Sequence, residues 1–506
     1  MRERAHGFGS EPRHLSSGSS GRKRKRKFLT WSVLFLIAVI TPLALFGWKE
    51  TYVSFLERDA PVITVANLPP GIGLQPLSLP ISISDDGSGL DLVKVLSEQY
   101  GEEKTLLRVP YTGRKVNQDT LTLDIPGKES GFAEGEVKII ISAFDKSFWS
   151  NGKTEVYTLV VDYTKPKLEV LSTQHNAFVG GSELVFYRLI GERDIASGLR
   201  AGSKWFFPGF SAAELDPSFK NHSDVYFSLF AIPLDFEPEK DRLVVYAKDA
   251  VGNLTTAPMY HRVKEVRNSK REVKLGESFI HDRVEPLLEE YLKARSGLGQ
   301  EKVSVVVPGS TVEQLVQNFR LVNEDYRALI ARSVAPLFQR PRRERLWADR
   351  FIQFPGAVQA RFGDFRSYTI DGVPAGSSIH EGIDLASTKH EEVRAANTGV
   401  VIFADEMGIY GNTVIMDHGF GLYTLYGHLS RVSSKEGTKL GIGDVLGYTG
   451  NTGLAEGDHL HFEFRLHGVP VNPIEWMDRN WVSDHIEEKI AEMKRVVGVD
   501  YGSPLR

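Results

Sequence analysis

Residues Phe28 to Trp48 run for 21 positions without a charged side chain, directly after six consecutive basic residues, Arg22 to Lys27. At about 1.5 Å per residue a helix of that length covers about 31 Å, the thickness of a bilayer core. A single segment satisfies its backbone groups inside lipid only as a helix, so one transmembrane helix over 28–48 is predicted. Pro42, near its outer end, is tolerated there as a kink. The basic residues ahead of the run, against Lys49, Glu50, Glu57, Arg58 and Asp59 after it, place residues 1–27 in the cytoplasm as a basic tail. The run ends in Leu45-Phe46-Gly47-Trp48 with no small-residue cleavage site, and it reads as a retained single-pass anchor in the cytoplasmic (inner) membrane. Everything beyond it is expected in the periplasm or extracytoplasmic space.

A chain of 506 residues exceeds what one hydrophobic core organises, so about three or four domains are expected. No cysteine is present, which excludes disulfides, iron–sulfur clusters and thiolate metal sites. Any metal must sit on histidine and carboxylate. Residues 1–27 hold nine Lys and Arg against Glu3 and Glu11, a local +7; the whole chain is −4, so the remainder is −11. A body of that sign is a poor nucleic-acid binder, and no nucleic-acid partner is expected.

Beyond Pro61 the apolar residues alternate in short runs: Leu79 to Ser84, Thr120 to Ile125, Glu136 to Ala143 and Thr154 to Val161. Turn clusters such as Asp85-Asp86-Gly87-Ser88-Gly89 separate them, which predicts an antiparallel sandwich over 59–163. The pattern then recurs over 164–266. Asp59-Ala-Pro61 returns as Thr164-Lys-Pro166, Ser88-Gly-Leu90 as Ser197-Gly-Leu199, and Ser142 to Asp145 as Tyr246 to Asp249, at offsets of 105, 109 and 104. Two tandem copies of one module fit best, and they resemble bacterial immunoglobulin-like modules. Their expected role is a spacer or a ligand-binding arm.

Residues 270–350 change to helical spacing over Ser278 to Ala294 and Thr311 to Ala331, with Val303 to Val307 reading as a short strand. A small mixed α/β linker region is expected. The basic run Arg340, Arg342, Arg343, Arg345 and Arg350 reads as a solvated helix face. β character returns over 351–480, and 481–506 reads as a closing helix and tail. The chain is therefore expected to be mainly β.

Strand alternation puts His459, His461 and Glu463 on one face and Leu460, Phe462 and Phe464 on the other. If His380-Glu-Gly-Ile-Asp384 is likewise extended, its two end residues point one way. Side by side, two such strands would bring His380, Asp384 and His461 around one ion. His428 ends another strand pattern, Leu425-Tyr-Gly-His, and is able to approach the same groove.

This constellation closely resembles the lysostaphin-like zinc metallopeptidases of family M23, which hydrolyse peptide bonds of bacterial cell walls. The matching residues are His380 to Asp384, Gly411 to Gly419, Tyr426 to Ser430 and His459 to Glu463, with Val471-Asn-Pro473 closing an antiparallel β domain. The resemblance implies Zn2+ as cofactor, His380, Asp384 and His461 as its ligands, and His428 and His459 as the catalytic pair. It implies peptidoglycan peptide stems as substrate. The block Phe362 to Tyr368 resembles the family's entry segment, where Arg366 or Tyr368 would face substrate. One departure stands out: Glu456-Gly457-Asp458 replaces the usual Thr-Gly-Pro before the His-Leu-His motif, and Asp458 is expected to raise the pKa of His459 if it lies close.

Two other functions fit the same residues: a wall-binding scaffold or hydrolase activator without catalysis, and an enzyme whose target is a secreted protein. The region at 270–350, immediately upstream of the site, is expected to cover the groove until a regulatory partner displaces it.

Overall fold

The computed structural model describes residues 54–191, 195–297 and 311–499. The basic tail, the predicted membrane helix over 28–48 and the short strand expected at Val303 to Val307 lie outside them. Among the described residues no helix is long and apolar enough to cross a membrane. Strands dominate, and the chain divides into two compact units at Tyr163/Thr164.

In the first unit two sheets enclose one core. One sheet runs Val62–Val65, Leu77–Ser84, Gln118–Ile125; the other runs Gly71–Ile72, Gly152–Val161, Gly135–Asp145, Leu90–Gln99, Glu102–Pro110. Alternation does the sorting: Ile81 and Ile83 from one sheet meet Val93, Val95, Val137, Ile139 and Ile141 from the other, all buried. The hairpin Leu90–Pro110 was not read from the sequence. Its second strand is an exposed edge whose outward residues are charged, which hides the alternation.

The second unit opens with the same strand order. Lys167–Val170, Ser182–Ile190 and Val225–Ala231 repeat the first sheet, and Leu254–Pro258, Leu243–Lys248, Ala196–Ala201 and Trp205–Pro208 repeat the second. A side-chain device repeats too. Asp145 accepts from the backbone of Ser147 and from Asn151 Nδ2, as Asp249 does from Val251 and Asn253 Nδ2.

This second module does not stand alone, because its core is continuous with that of the C-terminal sheet through Phe210, Phe227, Phe420 and Phe464. Ion pairs fasten the seam. Arg343 meets Glu214 at 2.9 Å, Arg345 pairs with Glu487, and Lys489 on the closing helix pairs with buried Glu183. The basic run is therefore no helix face: residues 339–356 carry no helix, and several of these arginines act as straps. A charge-rich composition is common to both arrangements, so the sequence did not separate them.

Glu475 lies in the same seam, accepting from the Ser182 backbone N–H at 2.8 Å and from its hydroxyl at 3.1 Å. Burial, with Glu183 adding to it, pushes its carboxyl up to about 8 against the hydrogen bonds from Ser182. The folded state thus prefers the protonated acid. Stability from this group is complete below the unfolded value near 4.5 and is lost as pH rises through about 8, on the order of a few kcal/mol. Glu475→Gln is expected to flatten that loss, raising the melting temperature at pH 9 but hardly at pH 4; equal shifts at both would reject this account.

Between the modules and the C-terminal sheet, Lys270–Leu275 pairs in parallel with Phe365–Ile370, which pairs with Val373–Ile379. Helical segments Glu277–Gly297 and Val312–Val334 pack behind, the second started by a Thr311/Gln314 capping box. The C-terminal sheet is antiparallel, in the order Ala357–Ala360, Ile383–Ala386, Leu460–Leu466, Leu422–Leu429, Asn412–Gly419, Gly399–Glu406, Lys439–Leu440. Its central strands are buried on both faces, and helical segments over Arg479–Val496 close the unit.

Candidate metal centre

Two adjacent central strands set the site. Asp384 and His461 are direct cross-strand partners, and Gly427 opposes His461 from the other side. Leu460, Phe462 and Phe464 point into the apolar core, as alternation requires. His380 arrives differently. It follows Val373–Ile379 and precedes Ile383–Ala386, so the His380 to Asp384 segment crosses between sheets and is not one extended strand. Reciprocal backbone bonds hold the crossing: His380 N–H to Asp364 at 3.0 Å and Gly363 N–H to His380 at 2.8 Å.

His380 Nε2, Asp384 Oδ1 and His461 Nδ1 lie 2.8 to 3.1 Å from one another. All three residues are buried, and the group is sized to hold a metal ion. Four ligands at about 2.0–2.2 Å in a tetrahedron sit about 3.3 to 3.6 Å apart, so the three atoms need to open by only a few tenths of an ångström. Each imidazole has its other nitrogen tied off. His380 Nδ1 donates to the Arg361 carbonyl at 2.9 Å, and His461 Nε2 donates to Glu463 Oε1 at 2.8 Å. With a metal bound, those bonds would fix both tautomers and leave a lone pair on each converging nitrogen. The second oxygen of Asp384 accepts from Arg366 at 2.8 Å. Burial would raise the Asp384 carboxyl, but the His380, His459 and His461 imidazoles around it hold it well below the usual carboxylate range.

A buried charge chain backs the site. Glu463, fully buried, bonds Arg465 Nε at 2.6 Å, and Arg465 reaches Glu381 at 2.7 Å and the Tyr410 hydroxyl at 3.2 Å. Burial opposes ionisation of Glu463, yet Arg465 and His461 hold its carboxyl down at about 2. Glu381 is thereby committed to Arg465. Sequence reading placed Glu463 behind His461 but missed Arg465 and Tyr410, because their contacts depend on cross-strand register.

His428 and His459 stand beside the triad. Their ring centres are 4.9 Å apart, and His428 is 5.6 Å from His461. His428 Nδ1 donates to the Thr452 carbonyl and His459 Nδ1 to that of Gly457, both at 2.8 Å, so each Nε2 remains the available atom. His459 Nε2 lies 3.6 Å from Asp384 Oδ1. His428 reaches this side because the strand breaks its alternation. It has φ +58°, and the register against Asn412–Gly419 shifts between Asn412 and Val414, opposite Leu429 and Tyr426. Gly427, which opposes His461, would otherwise send the next side chain to the far face. Burial, then the neighbouring histidines, keep the His428 imidazole well below its usual pKa and therefore neutral.

The five residues open into a cavity of about 460 Å³, lined also by Arg366, Tyr368, Phe279, Phe319 and Arg327. Arg366 is held by Asp384, while Tyr368 bonds the Ser378 hydroxyl at 2.9 Å and packs on Phe319. Asp458 turns to His390, at 3.3 Å from its backbone N–H, and not to His459. His418 and His467 are buried elsewhere in the core.

Two imidazoles and a carboxylate thus converge at one point beside two further histidines, a donor set that could hold one metal ion. Residues 378–473 match peptidase family M23, and the chain carries a domain of that family. Over 96 residues it is 47% identical to "DD-carboxypeptidase/endopeptidase Mpg" of Neisseria meningitidis, a stretch of 19% of this chain and 22% of that one. Over 93 residues it is 39% identical to "Peptidoglycan DD-endopeptidase ShyA" of Vibrio cholerae, covering 18% and 22%. It is 39% identical over 106 residues to "Stage II sporulation protein Q" of Bacillus subtilis, covering 20% and 38%. The chain thus spans about a fifth of the length of the first two relatives.

Proposed function

We propose that this chain is a zinc-dependent endopeptidase that hydrolyses the peptide cross-links of peptidoglycan from an anchor, Phe28 to Trp48, in the cytoplasmic membrane. The observation that carries it is the convergence of His380 Nε2, Asp384 Oδ1 and His461 Nδ1, each imidazole fixed from behind. Three protein ligands leave a fourth position open, the pattern of catalytic and not structural zinc. When bound there, zinc supplies Lewis-acid polarisation and lowers the pKa of water towards about 7. The chain's own residues do the rest. His428 Nε2 and His459 Nε2 are the atoms placed to take a proton, to hold the developing oxyanion and to return a proton to the leaving amine. Arg366 orients Asp384 through its second oxygen.

Substrate class rests on one relative named as a peptidoglycan DD-endopeptidase and one named as a DD-carboxypeptidase/endopeptidase, together with the outward topology expected from the sequence. The two N-terminal modules read as immunoglobulin-like: their shared strand order, three common strands in one sheet (joined at the edge by Phe210–Ser211 in the second module) against a sheet ending in a hairpin, supports that reading. Only the first is free to act as a spacer, since the second shares the peptidase core. The segments 270–297 and 311–338 contribute to one wall of the cleft and pack with Tyr368, Ile409 and Leu425. A partner that opened the cleft would have to break that packing.

Purified full-length protein in detergent, given zinc and isolated sacculi, is expected to release defined muropeptides, and a chelator is expected to stop it reversibly. A folded, metal-loaded sample that leaves cross-links intact would reject the reading. Glu463→Gln keeps the shape behind His461 but removes the charge, and is expected to weaken zinc affinity about 10- to 100-fold. Competition with a colorimetric chelator measures this; unchanged affinity would mean that Glu463 serves only the Arg465 ion pair.

A further inference from the structure

Four large apolar side chains stand exposed where the chain enters the first module: Phe55 (47%), Leu56 (53%), Phe148 (68%) and Trp149 (43%). They form a built surface. The rings of Phe55, Phe148 and Trp149 are mutually 5.2 to 5.7 Å apart. Trp149 Nε1 donates to the Phe55 carbonyl at 2.8 Å, and the Phe148 N–H to that of Ser54 at 3.1 Å. Asp145 holds the loop from beneath, accepting from Ser147 and Asn151. The Arg58 guanidinium lies 3.9 Å from the Trp149 ring centre, giving the platform a cationic rim.

Chain length decides what covers this surface. Ser54 follows Trp48 by six residues, so even a fully extended connection keeps the platform within about 20 Å of the end of the uncharged run. Aromatic side chains with cations beside them are the composition that a membrane–water boundary favours. We propose that Phe55, Leu56, Phe148 and Trp149 seat the first module on the outer face of the membrane, among phospholipid headgroups and upper acyl chains. This rests on the anchor reading above. The module would then stand on the bilayer instead of swinging from a tether. Tyr100, also exposed, lies past the far end of the ten-residue strand Leu90–Gln99, about 33 Å away along the sheet, and would point away from lipid.

The absence of cysteine permits single labels in the full chain. An environment-sensitive fluorophore is placed on Phe148→Cys or Leu56→Cys, with Ile40→Cys inside the uncharged run and Tyr100→Cys as references. Each is reconstituted in phosphatidylcholine–phosphatidylglycerol vesicles. At positions 148 and 56 the emission is expected to shift to the blue and to fall about twofold with lipids spin-labelled near the headgroup, the depth of about 5–10 Å at which such side chains sit; position 100 is expected to show neither. Quenching at 40 but not at 148 or 56 overturns the platform and leaves the anchor standing. No quenching at 40 removes the anchor, and the platform with it. A blue shift at 148 without lipid quenching assigns the surface to protein, whether a second copy or the residues before Ser54, and also overturns the proposal.

Discussion

Asp384→Ala is expected to empty the metal site and to lower cross-link hydrolysis by at least about 10³-fold. Asp384 Oδ1 is the one atom that touches both converging imidazole nitrogens, at 2.9 Å from His380 and 2.8 Å from His461. Its other oxygen holds Arg366 at 2.8 Å. Without the carboxylate the site keeps two neutral donors and gains an unpaired, largely buried guanidinium, whose positive charge opposes a cation. Removing one partner of such a pair costs stability of about 3–5 kcal/mol, so the alanine variant risks unfolding. Asp384→Asn covers that risk. It keeps the shape and an oxygen for Arg366 but not the charge, and is expected to fold yet bind zinc far more weakly. Metal content by mass spectrometry, circular dichroism and muropeptide release from the same samples separate the cases. Unchanged biological function in a folded, metal-free variant would instead support the non-catalytic scaffold.

How far the site was legible depended on which rule placed each residue. His459, His461 and Glu463 were readable because a period of two governs a central strand, and the structure puts them on one side with Leu460 and Phe462 behind. Asp384 opposite His461 needed only that two strands be neighbours. His380 was found through a false step: the segment is a crossing between sheets, and tertiary bonds to Asp364 and Gly363 supply the convergence that an extended strand was expected to give. The bulge at His428 left one faint trace, the glycine before it, since a positive φ in a non-glycine residue has no composition of its own. Arg465 was invisible. Alternation puts it on the His461 side, but its ties to Glu381 and Tyr410 come from elements brought together only by folding. The same limit hid the merged core: nothing within residues 164–266 announces that Phe210 and Phe227 will pack on Phe420.

The histidine pair gives the second large effect, and asparagine is the substitution that isolates it. His428 sits at φ +58°, where alanine adds strain of about 1–2 kcal/mol that asparagine largely avoids. Asparagine also retains a donor at the place of Nδ1, which in His428 meets the Thr452 carbonyl and in His459 that of Gly457. Only the Nε2 function is lost. His428→Asn and His459→Asn are each expected to lower kcat by about 10²–10⁴-fold, the span that a positioned acid or base contributes. Zinc content should stay at wild-type level in both, in contrast to the Asp384 variants. The double variant should be only slightly slower than the worse single one, because one proton path needs both groups. Loss of zinc from the His459 variant would make that residue a ligand, which its 3.6 Å approach to Asp384 Oδ1 leaves open to test. Full additivity of the two losses would mean that the rings work in separate steps.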